Sequence, residues 1–347
     1  MSKKYSRLLY FGQATWGSTS RQRFDALKGM FKDAYLVDSR RVFPDKKSGR
    51  SFFISVQGRL GVGPIIKSAE RILAQEVYRF KPDMIWIDGG FFISNETLEI
   101  IRHKFNCKII HYTPDSLFSP GMSNRCMSGA ISAYDEVVTT KEQDLSTYEK
   151  LGARHVIFSL QGFDPDIHRP VSLTADEKQE FGCDVSFVGQ CMKDRANSLD
   201  YLSRSLKLNL RIYGTDWDSR SVPARLKPLF HGPAIGHDYA KVVCASKITL
   251  GFLNREVRDT FTTRTFEIPA CGGFLLAERT SIHQKLFAED SEAAFFSSDE
   301  ELKDKVNFYL TNENVRERIA KAGHLKVMTA GYTWEKLMEK IISEIDK

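Results

Sequence analysis

Between residues 259 and 267 the sequence sets two carboxylates, an arginine and paired threonines around one turn. Glu267 stands in an apolar helical run, RTFEIPACGG, flanked by Phe266 and Ile268. A carboxylate in such a setting must be paired or must face a ligand. Its two oxygens suit two neighbouring hydroxyls, as on a ribose. Arg264 adds a fixed cation with fork geometry. The run 260–263, with Thr262 and Thr263, leads into the helix start. Backbone N–H groups and the helix dipole attract a diphosphate there. The competing reading is an amphipathic helix on which Arg264 and Glu267 form an i,i+3 surface pair.

Other candidates lie just after apolar runs. Gly189 ends one, and Lys193 and Arg195 follow at a helix start, with Asp194 able to form a surface pair. Gly214 ends the next run, and His231-Gly232 the one after. In the first half, 12–21 is a Gly/Ser/Thr loop opening a helix. It could hold a phosphate, but it lacks the GxGxxG spacing and the Walker lysine. Asp115 follows a strand and Pro114, where a general base or a turn-capping Asp would stand. Asp88, before Gly89-Gly90, is its rival. Asp216-Trp217-Asp218 is a triplet of metal-chelating spacing with an aromatic centre, and Asp164-Pro165-Asp166 lies in a linker. Neither makes a convincing metal site. The six cysteines form no CxxC pair and read as small buried hydrophobes in a reducing compartment.

The elements that must position these residues come in two alternating series. Apolar runs at 8–11, 34–38, 84–88, 108–112, 136–139 and 156–160 predict strands. Helical spacing predicts helices over 21–31, 63–79, 95–103 and 140–151. The Pro- and Gly-containing segment 161–170 reads as a linker. A second series follows, with strands at 184–188, 210–213, 248–253 and 274–277. Its helices fall at 195–206, 239–245, 264–270, 300–310, 314–326 and 333–344. Strand–helix alternation implies parallel sheets covered on both faces, with ligands at the carboxyl ends of the strands. The expected architecture is α/β. It has a first domain over 1–165, a second over 166–330, and a terminal helix in 331–347 packing back on the first.

Length and composition agree with this plan. The chain has 347 residues, 42% hydrophobic and 27% charged, with net charge +6. Residues 1–165 hold 24 Lys+Arg against 17 Asp+Glu, while the remainder is nearly neutral. A basic first half suits an anionic partner, either a phosphorylated acceptor or an anionic membrane surface, or is a solvated face. Nothing in the pattern points to nucleic acid. No apolar stretch approaches the roughly 20 residues that span a bilayer, and MSKKYSRLLYFGQ lacks a signal-peptide pattern. The expected location is cytoplasmic.

TRTFEIPACGGFLLAE resembles the C-terminal signature of the spore-maturation, CgeB-like branch of GT-B glycosyltransferases, within the group 1 glycosyl transferases. The likeness runs through TWGSTSRQR, IIHYTPDSLF, YDEVVTT, QGFDPDIHRP, DVSFVGQ and GYTWEKLMEKI, in order along nearly the whole chain. It implies two doubly wound Rossmann-like domains facing across a cleft. The activity it implies is transfer of a sugar from a nucleoside-diphosphate sugar to an acceptor, whether glycan, lipid or protein, with no metal and no cofactor. In related retaining enzymes two acidic residues separated by seven others flank the donor turn. The second maps to Glu267 on the ribose and the first to Asp259, with Thr260 and Thr262 where those enzymes carry glycines. The resemblance also places Arg195, with Lys193 second, on the diphosphate. It brings Gly214 and Gly232 near the nucleobase, and Gly17, Ser18 and Arg21 near acceptor or donor phosphate. Asp115 acting as a base would give inversion, whereas the acidic pair leans toward retention. A non-catalytic nucleotide- or sugar-binding protein and a GT-B-fold sugar-nucleotide epimerase are the alternatives.

Overall fold

The computed structural model describes residues 4–42, 56–57, 60–89, 92–116, 118–119 and 125–347. Two compact units form. The first comprises Met1–Gln161, Glu256–Arg258 and Trp334–Lys347, and the second Gly162–Arg255 and Asp259–Thr333. The chain therefore changes unit at 161/162, rather than at 165/166 as read from sequence, and residues 256–258 belong to the first unit.

The first unit holds a parallel six-stranded sheet in the order β2-β1-β3-β4-β5-β6. Its strands are β1 (Arg7–Gly12), β2 (Asp33–Asp38), β3 (Met84–Asp88), β4 (Lys108–Thr113), β5 (Glu136–Thr139) and β6 (Val156–Phe158). Its helices are α1 (Thr19–Lys28), α2 (Pro64–Phe80), α3 (Asn95–Phe105), α4 (Arg125–Ala130) and α5 (Leu145–Lys150). Side chains alternate between two buried faces. Leu9, Phe11, Ile85 and Ile87 pack on one side with α2 and α3. Leu8, Tyr10, Met84 and Trp86 pack on the other with α1 and the terminal helix α13 (Trp334–Ile345). Both faces being covered, each strand reads as a nearly continuous apolar run.

The second unit holds a parallel five-stranded sheet in the order β11-β10-β9-β7-β8. Its strands are β7 (Cys183–Val188), β8 (Leu210–Tyr213), β9 (Ser246–Gly251), β10 (Leu275–Glu278) and β11 (Ala294–Phe296). Its helices are α6 (Ala175–Phe181), α7 (Lys193–Ser205), α8 (His237–Ala245), α9 (Arg264–Ala270), α10 (Ser281–Leu286), α11 (Asp299–Thr311) and α12 (Glu313–Thr329). Numbered within each unit, the two sheets share the order second-first-third-fourth-fifth. The winding reverses between the first and third strands, which creates a ligand-binding crevice at their carboxyl ends.

Four elements of the second unit have no counterpart in the sequence reading: α6, the 3-10 helix Ala224–Leu229, α10 and β11. The helix expected over 140–151 is shorter, a 3-10 turn at Glu142–Asp144 followed by α5. Its start is delayed because the Thr140 hydroxyl donates to the Pro114 carbonyl (2.8 Å) and the Lys141 N–H to the Thr139 hydroxyl (3.2 Å). Hydroxyls that bond to nearby loops compete with helix formation in this way. Among the described residues no helix is long and apolar enough to cross a membrane.

Candidate functional site

The crevice of the second unit is built on glycines. Gly189, just past β7, donates its N–H to the Tyr213 carbonyl (2.9 Å), and its own carbonyl accepts from Trp217 Nε1 (2.8 Å). Gly214 donates to the Gly232 carbonyl (2.9 Å). A Cβ on Gly214, whose φ is +135°, would fall 2.0 Å from the Gly189 oxygen, so only glycine fits. The three glycines singled out in the sequence thus form one hydrogen-bonded platform. Trp217 is fully buried and locks it from below. Asp216 accepts from Gln190 Nε2 (2.8 Å), so the Asp-Trp-Asp triplet serves packing and turn closure. Among the described residues no three His, Cys, Asp or Glu are grouped so as to hold a metal ion.

Two guanidiniums stand at this platform. Arg195 is buried in the first turn of α7, with Nε donating to the Leu253 carbonyl (3.1 Å) and Nη1 to the Gln190 carbonyl (3.0 Å). Arg264, half-buried at the start of α9, donates Nη2 to the Phe252 carbonyl (3.0 Å). Its Nε is buried without a hydrogen-bond partner. Its Nη1 would lie 3.3 Å from a Cβ at Gly189. Both cations sit over the Phe187 ring, each 5.7 Å from its centroid. Among the described residues neither makes an ion pair, and all their hydrogen bonds go to backbone carbonyls. Burial and the like charge of Arg264 pull the Arg195 pKa down to about 10, against the opposing pull of Asp259 and Glu278. Two adjacent guanidiniums, one buried and one half-buried, with Asp259 and Glu278 near but in no ion pair with them among the described residues, favour an anion at this platform. Lys193, by contrast, is exposed.

Glu267 is 6% exposed, on the inner face of α9, which excludes the surface pair with Arg264. His168 Nε2 lies 3.6 Å from its Oε1. The Tyr239 ring packs edge-on against His168 at 5.4 Å. Burial, followed by the charge of Glu267, raises the Tyr239 pKa well above that of an ordinary phenol.

The loop before α9 is held from within. The Thr262 N–H donates to Thr265 Oγ1 (3.1 Å), which is 2.9 Å from His283 Nε2. His283 Nδ1 is 2.7 Å from the Glu278 carbonyl and must donate to it, so Nε2 accepts from the Thr265 hydroxyl. Burial lowers the His283 pKa to about 4, which keeps this relay neutral. The Thr262 N–H is therefore engaged in the fold. Thr263 is half-buried, and its carbonyl accepts from Glu267 N (2.9 Å). Asp259 accepts from Asn254 N (3.1 Å) and returns its own N–H to the Asn254 carbonyl (3.0 Å), closing the loop below Arg195.

In the first unit, Asp88 is not available as a base. Arg23 grips it through Nε–Oδ2 (2.7 Å) and Nη2–Oδ1 (3.0 Å), and the Tyr10 hydroxyl also donates to it. Burial opposes the charge on Arg23, yet Asp88 raises its pKa above the ordinary guanidinium value. Asp115 is half-buried after β4, its N–H donating to Thr113 Oγ1 (3.3 Å). Ser18 caps α1, accepting from Arg21 N (3.2 Å), and Gly17 has φ +79° in the preceding turn. The Arg21 guanidinium pairs with Asp25 (2.7 Å) along the outside of α1 rather than over the loop.

Sequence reasoning placed His168 in a linker, opened a short helix at Tyr239 and put Trp217 in a triplet of metal-chelating spacing, and passed over Phe187 and His283. Only His168 carried a local signal. Asp164-Pro165-Asp166 announces a tight turn that delivers the residue two positions later to a fixed place.

Residues 195–343 match the family model described as glycosyl transferase-like. No curated protein matches the chain. Solved structures are similar along nearly its whole length. A sucrose-phosphate synthase from Thermosynechococcus elongatus has a TM-score of 0.69 at 13% identity, covering 98% of this chain and 99% of that one. HepE from Anabaena, in complex with UDP and glucose, has a TM-score of 0.69 at 13% identity, again over 98% and 99%. A glycosyltransferase from Rickettsia africae has a TM-score of 0.64 at 12% identity over 99% of both chains. Such likeness establishes the fold: α/β of the GT-B class, with two doubly wound Rossmann-like units.

Proposed function

We propose that the protein is a nucleotide-sugar-dependent glycosyltransferase of the CgeB-like branch. It moves a hexosyl group from a uridine-diphosphate sugar to an acceptor hydroxyl on a glycan, lipid or protein. The observation that carries this reading is the guanidinium pair, Arg195 and Arg264, over Phe187 beside Gly189, which makes no ion pair among the described residues. A diphosphate supplies the charge the pair lacks, and as a leaving group it needs that charge most in the transition state. With two arginines in this role the reaction needs no metal. Glu267 takes the ribose hydroxyls, and the platform of Gly189, Gly214 and Gly232 lets the nucleotide approach the backbone. The HepE structures hold UDP, UDP-glucose, or UDP with glucose. The uridine base is taken over from them.

The direct test is thermal unfolding with UDP, UDP-glucose and other nucleotide sugars, because a ligand bound to the native state stabilises it by mass action. Arg264→Met is expected to weaken UDP binding about 30-fold, the loss of one charge-assisted contact of roughly 2 kcal/mol. Uridine itself should bind the variant as it binds the wild type. Equal loss for uridine and UDP would remove Arg264 from the diphosphate site. Turnover then separates the enzyme from a non-catalytic binder by release of free UDP, and from an epimerase by the lack of an isomerised donor when no acceptor is present.

Asp115 is the proposed base of the first unit. Asp115→Asn is expected to slow transfer about 100-fold, at the lower end for a general base, with UDP affinity unchanged. Wild-type turnover in that variant would favour attack assisted by the leaving diphosphate and retention of configuration.

A further inference from the structure

We propose that His168 is a positioning residue that aligns the Glu267 carboxylate for a vicinal diol and so sets discrimination for ribose over deoxyribose. This rests on Glu267 being the carboxylate that takes the nucleotide hydroxyls.

The segment carrying His168 is folded into a closed turn. The Asp164 carbonyl accepts from the N–H groups of Ile167 (3.2 Å) and His168 (2.7 Å), and Asp164 Oδ1 accepts from Asp166 N (2.9 Å). The Asp164 N–H in turn donates to His168 Nδ1 (3.1 Å). A ring nitrogen that accepts an N–H carries no proton, so the single proton of the neutral ring is on Nε2. Nε2 is the atom that faces Glu267 Oε1, at 3.6 Å. His168 is 4% exposed and wedged edge-on against Tyr239, so its ring has little room to turn. The sequence thus delivers one N–H of fixed direction to one oxygen of a buried carboxylate.

That direction matters because the last torsion of a glutamate side chain is broad and roughly two-fold. A carboxylate offers about four acceptor sites. A donor held beside Oε1 selects one plane of the group. The remaining lone pairs of Oε1 and Oε2 then point the same way, as two adjacent hydroxyls require. At 3.6 Å the contact is longer than a good hydrogen bond, and a sub-ångström shift of the carboxylate closes it. Glu267 supplies the acceptors and His168 their orientation, so His168 touches no substrate atom.

The test compares UDP with 2′-deoxyuridine diphosphate by calorimetric titration of the full chain. Wild-type protein is expected to prefer UDP about tenfold or more, the worth of one hydrogen bond to a charged group. His168→Phe keeps the ring against Tyr239 and removes both nitrogens. It should weaken UDP about tenfold, change the deoxy nucleotide less than about twofold, and so abolish the preference. His168→Asn can accept from Asp164 N but is too short to reach Glu267, and should behave like Phe, giving a second variant should Phe disturb folding. His168→Gln can accept and donate at once and should restore the preference. Phe and Asn variants that keep the wild-type ratio would overturn the proposal. So would variants that weaken both nucleotides equally, which is the signature of a merely structural residue. A wild-type protein that binds UDP without preference would instead overturn the reading of Glu267, and this proposal with it.

Discussion

Glu267→Ala is expected to lower the affinity for UDP about 10³-fold, the loss of two hydrogen bonds to a charged acceptor at roughly 2 kcal/mol each. The expectation follows from where the carboxylate stands. It is buried in an otherwise apolar helix turn, and its neighbours, Phe266, Ile268 and Ala270, are fully buried. A charge in that position costs stability unless something binds it. His168 Nε2 lies 3.6 Å from it, and Tyr239, whose pKa burial and then its charge raise, is a second neighbour. The fold does not depend on the carboxylate, because α9 is fixed by those apolar neighbours and by the Thr262–Thr265–His283 relay at its start. Stability of the variant should therefore stay within about 2 kcal/mol of wild type, the span of an ordinary substitution. Calorimetric titration decides the matter. An unchanged affinity for UDP would take Glu267 out of the nucleotide site, and collapse of the fold would show that the carboxylate is structural.

Asp88→Ala is expected to destabilise the first unit by about 3–5 kcal/mol, the cost of leaving a buried cation without its partner. Arg23 is only 1% exposed and lies over Tyr112 (4.4 Å) and Trp334 (5.1 Å), so water cannot replace the lost carboxylate. In scanning calorimetry the transition of this unit should fall on the order of 10 °C. Adding Arg23→Met removes the stranded charge and should recover most of the loss, a coupling that a double-mutant cycle measures. A fall of only about 2 °C in the single variant would mean that Arg23 finds another counter-charge or water. This prediction stands apart from catalysis, and it explains why Asp88, the rival of Asp115 at a strand end, does not serve as a base.

Much of the scaffold was legible because both sheets are buried on two faces and so write themselves as apolar runs. The bounds of α9, Arg264–Ala270, are those read from sequence, since Arg264 opens the run and Cys271-Gly272-Gly273 ends it. The capping box of α6, Thr174 with Glu177, was present in the sequence but lay between the linker at 161–170 and the strand at 184–188, in a stretch given no element. β11 is three residues long and has too few side chains to show a period. Arg195, Arg264, Glu267 and the three glycines were singled out from the sequence because chemistry at strand ends and helix starts follows local position. Their partners were not. That Arg21 turns to Asp25, that Asp88 is gripped by Arg23, and that His168 meets Glu267 are facts of pairing across the fold, and no spacing along the chain encodes them.

The packing of α13 has a consequence for biosynthesis. Its Trp334 donates to Gln22 Oε1 (2.9 Å), and Met338, Ile341 and Ile342 seal the face of the first sheet formed by Leu8, Tyr10 and Trp86. A ribosome makes these residues after every residue of the second unit. Domains usually mature in the order of synthesis. Here the half translated earliest waits, with one face of its sheet unsealed, until its sibling is complete. A chain ending at Thr333 holds every residue of the second unit and lacks the helix that covers this face of the first.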